Sequence, residues 1–436
     1  MKFNKQHNIK KKCTPSAKKQ TYDFVESTSI ASKVVRTILS PTPLQLNKYL
    51  SLRYGTQIYL KREDLTPVRS YKIRGAFNFL HKSLTHVGTN ANFVCASAGN
   101  HAQGFAFACK HFDVKGVIFM PTTTPKQKIQ KTKVFGGRNI EIRLEGDMFD
   151  QSNIAALSFA EDTGAFFVPP FDHHDIIEGQ ATVGLEILEQ SSVPIDVLII
   201  PVGGGGLAAG IIQIMAALSP KTKVILVEPA GAASLKQSLE RKERVKLEKI
   251  DTFVDGAAVA QIGKINFDIL KNYKAEDVFL IKEDQLCETI IEMLNIEGIV
   301  LEPAGALEVG VLRHLPPDMI KNKNVVCLTS GGNFDFERLP EVKERALKAS
   351  GRKKYYLLRL PQRPGALREF LELLGPNDDV SRFEYFKKST RNFGSILLGI
   401  ETSEPENFEI LNNKITSSGI RYSDITDDDL VSNFII

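Results

Sequence analysis

From about residue 55 to about residue 335, short apolar runs rich in β-branched and aromatic residues alternate with segments of helical apolar spacing. The runs are QIYLKR, FVCASA, VKGVIFM, IEIRL, FFVPP, DVLIIPV, KVILVEP and NVVCLTS. Between them lie segments such as RGAFNFLHKSL, HAQGFAFACKHF, QATVGLEILEQ and CETIIEMLNIEG. Strands that alternate with helices in this way form βαβ units and predict an α/β fold with mostly parallel sheets. Most of the runs are apolar throughout, as strands are when helices cover both faces of a sheet. Several are followed at once by small or polar residues that open a helix. Open α/β sheets bind their ligands at such carboxyl ends.

Near residue 340 the pattern changes. LPEVKERALKASGRKK is a charged, helix-prone connection, and after it come strand YYLLRLP, helix ALREFLELLG, strands VSRFEYFKK and GSILLGIET, helix EPENFEILNNKITSSG and a short final run. That βαββα order predicts a separate ferredoxin-like α+β sandwich over residues 353–436. A chain of 436 residues has room for both units.

The formal charge is only +5, and much of the excess sits in residues 1–20, which contain no acidic side chain. This basic arm has little aromatic interleaving, so a disordered tail accounts for it better than nucleic-acid binding does. No apolar core follows the charges, as a secretory signal requires, and no run is long enough to span a bilayer. Cys13, Cys95, Cys109, Cys287 and Cys327 form no CxxC pair, and four of them sit among apolar neighbours. Buried thiols in a reducing, cytoplasmic setting are the expectation, with no disulfide framework.

Four stretches carry chemistry. In SYKIRGAF, Lys72 stands at the mouth of a helix beside Arg74. The helix dipole and that guanidinium would both lower the pKa of its amine, as imine formation with a carbonyl requires. Taken alone, a surface lysine is the plainer account. SAGNHAQGFA closes one strand and opens a helix, so Ser97, Asn100 and exposed backbone N–H groups are placed to hold a carboxylate or a phenolic oxygen. PVGGGGLAAG has four consecutive glycines between a strand and a helix. It lacks the Gly-Lys-Ser/Thr ending of a P-loop, and the last glycine of a G-x-G-x-x-G fingerprint falls on Ala208. A turn whose N–H groups converge on one phosphate at a helix N-terminus is the simpler reading. In LTSGGNFD, the Ser330 hydroxyl ends another strand, where it could reach a ring nitrogen or simply form a tight turn. His173 and His174 diverge as neighbours with no evident third ligand, so no metal site is expected there.

In this order and at these separations the four motifs resemble the fold-type II enzymes dependent on pyridoxal 5'-phosphate, and specifically the threonine dehydratase family. KREDLTPVRS before the lysine and EPAGA at 302–306 extend the likeness, which covers about residues 40 to 335. The resemblance implies two open, mostly parallel twisted sheets within residues 21–345, the smaller subdomain (about 65–165) inserted in the larger. It implies Lys72 as the Schiff-base lysine, Asn100 as partner of the phenolic oxygen and Ser330 as partner of the pyridine nitrogen. Gly203, Gly204, Gly205, Gly206 and Leu207 would form the phosphate cup. The loop of Ser97, Ala98, Gly99, Asn100 and His101 would take the substrate carboxylate.

The implied reaction is β-elimination of L-threonine, with L-serine as a further substrate, to a 2-oxo acid and ammonia. A serine at the pyridine nitrogen makes the ring a weaker electron sink, which favours expelling a β-hydroxyl over a long-lived carbanion. LLRLPQRPGALREFL makes the C-terminal unit similar to the ACT-like regulatory domain of biosynthetic threonine dehydratases. Isoleucine as inhibitor, valine as antagonist and a homotetramer are implied with it. Racemase-like relatives hold a divalent cation where this chain has Glu228 but Ser234, so no metal is expected. A serine or threonine dehydratase or racemase of broader range is the enzymatic alternative. A non-catalytic amino-acid sensor is the alternative of another class, and Lys72 with the glycine cup argues against it.

Overall fold

The computed structural model describes residues 17–88, 90–386 and 392–428. Most of the basic arm, Cys13 included, lies outside the described residues. Ten strands precede residue 335: β1 (Leu44–Leu46), β2 (Gln57–Arg62), β3 (Asn92–Ala96), β4 (Lys115–Met120), β5 (Ile140–Leu144), β6 (Phe166–Phe167), β7 (Val197–Pro201), β8 (Lys223–Pro229), β9 (Val278–Ile281) and β10 (Asn324–Thr329). They form two sheets, one in the order β1-β2-β10-β7-β8-β9 and one in the order β5-β4-β3-β6. Every pairing is parallel except that of β1 with β2. Four more strands, β11 (Lys353–Pro361), β12 (Asp378–Phe386), β13 (Phe393–Thr402) and β14 (Arg421–Asp424), make an antiparallel sheet in the order β12-β13-β11-β14.

The uninterrupted apolar runs have the cause the sequence predicts. In β7, Val197 and Ile199 enter one core while Leu198 and Ile200 enter the other, and β8 and β10 divide their side chains in the same way. A strand with cores on both faces has no position for a polar residue. The C-terminal sheet is different. Tyr356, Leu358 and Leu360 of β11 pack with Phe370, Phe408 and Leu411 from its two helices, while Leu357 stays exposed on the opposite face. Lys353 joins the units through the Glu344 carboxylate of helix Leu339–Ala349, which also accepts from Tyr355 Oη at 2.8 Å.

Three elements depart from the sequence pattern. β1 and β9 lie at the two edges of the large sheet and are three and four residues long. β1, LQL, carries no apolar run long enough to read alone, whereas β9, VFLI, is an apolar run as long as FVCA that the sequence pattern passed over. FFVPP keeps only two residues of strand, because Pro169 and Pro170 have no N–H for the ladder.

The two α/β layers are joined by buried charge. Arg74, on helix Lys72–Val87, donates to Glu63 (Nε 2.7 Å, Nη2 2.8 Å) and to Glu186 (Nη1 2.7 Å, Nη2 2.9 Å). Lys61 of β2 completes the cluster with a 2.7 Å bond to Glu186, and all four side chains are buried. Two cations and two anions balance. Burial pushes the Glu186 carboxyl up, but Arg74 and Lys61 outweigh it and hold it below its usual range. Removing one member strands an uncompensated charge, so Arg74→Ala should destabilise the fold by about 3–5 kcal/mol. Arg36→Ala, which removes an exposed pair with Glu189, should cost less than about 1 kcal/mol. Urea unfolding midpoints of the two variants check the contrast.

Candidate active site

The lysine loop and the Ser330 loop are tied backbone to backbone. Ser70 bridges Gly331, and Tyr71 N donates to Ser330 O at 3.2 Å. A Cβ at Gly331 would stand 1.9 Å from Glu302 Oε1, so any other residue there requires that buried carboxylate to move. Lys72 then starts its helix with Nζ donating to Pro170 O at 2.9 Å, between the rings of Tyr71 and Phe171. Burial lowers its pKa to about 8, and the Glu302 carboxylate opposes that shift. The helix dipole and Arg74, the causes expected from sequence neighbours, are not what lowers it. Arg74 instead spends its charge on Glu63 and Glu186, and desolvation does the work.

Asn100, the first residue of helix Asn100–Phe112, donates from Nδ2 to Glu302 Oε1 at 2.6 Å. Its Oδ1 accepts from Asn333 Nδ2 at 2.7 Å, and Asn333 also donates to Val68 O at 2.8 Å. Burial raises the Glu302 carboxyl to about 7. Ser330 is buried, with Oγ 3.3 Å from Ala304 O. Lys72, Asn100, Gly203 and Ser330 line one cavity, together with Tyr71 and Glu302.

The glycine run crosses from β7 into helix Gly206–Leu218, with Gly205 at φ 90°, a left-handed conformation natural to glycine. None of the N–H groups of residues 203–207 donates to a protein acceptor among the described residues. Asn266 Nδ2 fixes the turn from outside by donating to Gly204 O at 2.7 Å. Adjacent unpaired N–H groups at a helix N-terminus suit an anion. An amine and a hydroxyl share the cavity with this cradle, so the residues fit a phosphorylated aldehyde with a heteroaromatic ring.

The similarity of the chain to known proteins agrees. Residues 35–331 match the family described as pyridoxal-phosphate dependent enzyme, and residues 344–435 match the C-terminal regulatory domain of threonine dehydratase. The L-threonine dehydratase biosynthetic IlvA of Halalkalibacterium halodurans is 44% identical, covering 94% of this chain and 99% of its own. That of Bacillus subtilis is 46% identical, covering 93% and 96%. The chain belongs to the biosynthetic threonine dehydratase family.

Among solved structures, the processed form of threonine deaminase isoform 2 from Solanum lycopersicum is 37% identical with a TM-score of 0.70, covering 76% of this chain and 94% of that one. Pyridoxal phosphate is the cofactor of this family of ammonia-lyases. Of the other expected positions, Gly204, Gly205, Gly206, Leu207, Ser97, Ala98, Gly99 and His101 are not among the residues that line this cavity. Ser97 Oγ accepts from Gly99 N at 3.2 Å, while the N–H groups of Ala98, Asn100 and His101 find no protein acceptor among the described residues. The His101 ring is turned inward to Val168 O, 2.9 Å away, and burial lowers its pKa to about 3. Glu228 accepts from the N–H groups of Leu235 and Lys236, at 2.7 and 2.9 Å. His173 caps the helix His174–Gln190 through Nδ1. Among the described residues no helix is long and apolar enough to cross a membrane.

Glu302, Asn333 and Pro170 are the cavity-side partners that the sequence argument gave no role. The EPAGA likeness was the available signal for Glu302. For Pro170, whose contribution is a backbone carbonyl, no residue type could have given one. With a Lys72 pKa of about 8, imine formation between the cofactor-free protein and pyridoxal phosphate should accelerate as pH rises and level off above about pH 8. An ordinary lysine would level off above about 10. Stopped-flow absorbance across pH checks this.

Proposed function

We propose that this enzyme converts L-threonine to 2-oxobutanoate and ammonia in the cytoplasm, as a homotetramer, at the entry to isoleucine synthesis. The meeting of Lys72, Asn100, Gly203 and Ser330 in one cavity is the observation that carries the reading. Pyridoxal phosphate, when bound, supplies the electron sink for the charge left at the substrate Cα.

The chain's own residues do the rest. Lys72 would hold the cofactor through its amine, and the same amine, when free, is the group placed to take the substrate Cα proton. An amine titrating near 8 is about one-tenth neutral at pH 7, against less than about a thousandth for an ordinary lysine, and that neutral form can accept the proton. The N–H groups of Gly203, Gly204, Gly205, Gly206 and Leu207 bind the phosphate. Asn100, its amide positioned by Glu302 and Asn333, would donate to the phenolic oxygen of the cofactor. The Ser330 hydroxyl meets the pyridine nitrogen. Backbone N–H groups of Ala98, Asn100 and His101 would hold the substrate carboxylate beside the Ser97 hydroxyl.

Regulation belongs to the C-terminal domain. A cavity of about 350 Å³ there is lined by Leu360, Ala366, Leu371, Phe383 and Ile396 beside Arg363. Apolar walls of that extent suit a branched aliphatic side chain, which supports isoleucine as inhibitor with valine as its antagonist.

The deciding assay is 2-oxobutanoate and ammonia release from L-threonine, compared with L-serine, with and without isoleucine. Lys72→Ala should lose the visible absorbance of the bound cofactor, and its turnover should fall by a factor on the order of 10³. Racemisation of serine without ammonia release would sink the dehydratase reading. Leu371→Arg, which puts a charge on an apolar wall, should raise the isoleucine concentration for half inhibition about tenfold or more.

A further inference from the structure

Glu308 takes part in no step described so far. It lies on the short helix Leu307–Gly310, which packs against β7, β8 and β10. β10 ends one residue before Ser330. The Glu308 side chain is fully buried, and neither carboxyl oxygen has a hydrogen-bond partner in this structure. Buried polar atoms are rarely left unpaired without a reason.

Burial pushes this carboxyl well above the carboxylate range, and the nearby carboxylates Glu302 and Asp64 push it the same way. Tyr71 and Cys327 are the other titratable groups on which it acts. A carboxyl this buried, with no cation or donor paired to it among the described residues, is held neutral by the cost of burying its charge and so carries a proton to donate. Ser330 is the polar side chain that acts on it directly, and its hydroxyl pulls the other way, lowering the carboxyl; among the described residues that hydroxyl makes a long 3.3 Å contact to Ala304 O. A serine hydroxyl has one proton and two lone pairs. If Glu308 donates into a lone pair, the proton of Ser330 is left to point into the cavity that Ser330 shares with Lys72.

We propose that Glu308 is a positioning residue for the cofactor ring: it donates to Ser330 Oγ and commits the Ser330 hydroxyl to donate to the pyridine nitrogen. That nitrogen then stays unprotonated and the ring remains a weak electron sink, a setting that favours elimination over a long-lived carbanion. The inference rests on the role proposed for Ser330.

The test reconstitutes the enzyme with pyridoxal phosphate carrying ¹⁵N in the ring and reads the nitrogen resonance. Wild type should give the resonance of an unprotonated pyridine across neutral pH. Glu308→Gln, whose amide donates in place of the acid, should keep that resonance and stay within about threefold of wild-type kcat. Glu308→Ala should move the resonance and lower kcat about tenfold with little change in KM. Glu308→Met, which fills the volume without a donor, replaces the alanine variant if the cavity prevents folding. Ser330→Ala separates the two levels: an unmoved resonance there removes the role of Ser330 itself. If Ser330→Ala moves the resonance and neither Glu308→Ala nor Glu308→Met does, the Glu308 inference alone fails. A protonated pyridine in wild type also overturns it, because Glu308 would then be an acceptor.

Discussion

The buried cluster of Arg74, Glu63, Glu186 and Lys61 is the interaction on which the rest of the catalytic architecture depends. Arg74 sits two residues after Lys72, at the start of the same helix. Its guanidinium is gripped by one carboxylate just beyond β2 and one on helix His174–Gln190. Both forks of the guanidinium are used, so the helix cannot rotate or slide without breaking charge-assisted bonds in a medium with no water to replace them. Lys72 inherits its position from that clamp.

Around the fixed lysine, the cavity is built by loops that approach one another more closely than side chains usually permit. Gly331 stands where a Cβ would strike Glu302, and this closeness brings Ser330, Asn100 and Glu302 to one wall. The opposite requirement holds at residues 203–207, where N–H groups are left without protein acceptors. Such groups are costly unless something else accepts from them, and an anion at a helix N-terminus does so. On the walls, Asn100 is paired with Glu302 and with Asn333, whereas the N–H groups of residues 203–207 have no protein acceptor among the described residues.

Electrostatics in the cavity is governed by desolvation more than by neighbouring charge. Burial lowers Lys72, and it raises both Glu302 and Glu308. The amine and the Glu302 acid, which both line the cavity, are thereby moved toward their neutral forms, and Glu308, outside that lining, is moved the same way. Burial brings the amine and the Glu302 acid, at about 8 and about 7, close in proton affinity.

The sequence by itself determined the fold class and the order of the motifs. Apolar runs such as VLIIP, flanked by helical spacing, can be satisfied only between two helical layers, and β7 divides its side chains between two cores for that reason. The glycine run, the lysine at a helix mouth and the charged connection near residue 340 were likewise legible, because each is a local property of a few adjacent residues. Only the tertiary structure decided what those residues touch. Asn100 and Glu302 are 202 positions apart, and Arg74 and Glu186 are 112 apart. No local pattern encodes either pairing. The same holds for the pKa of Lys72. Sequence neighbours suggested a dipole and an adjacent cation, but the cation faces elsewhere and burial sets the value, since desolvation depends on everything that packs around a group.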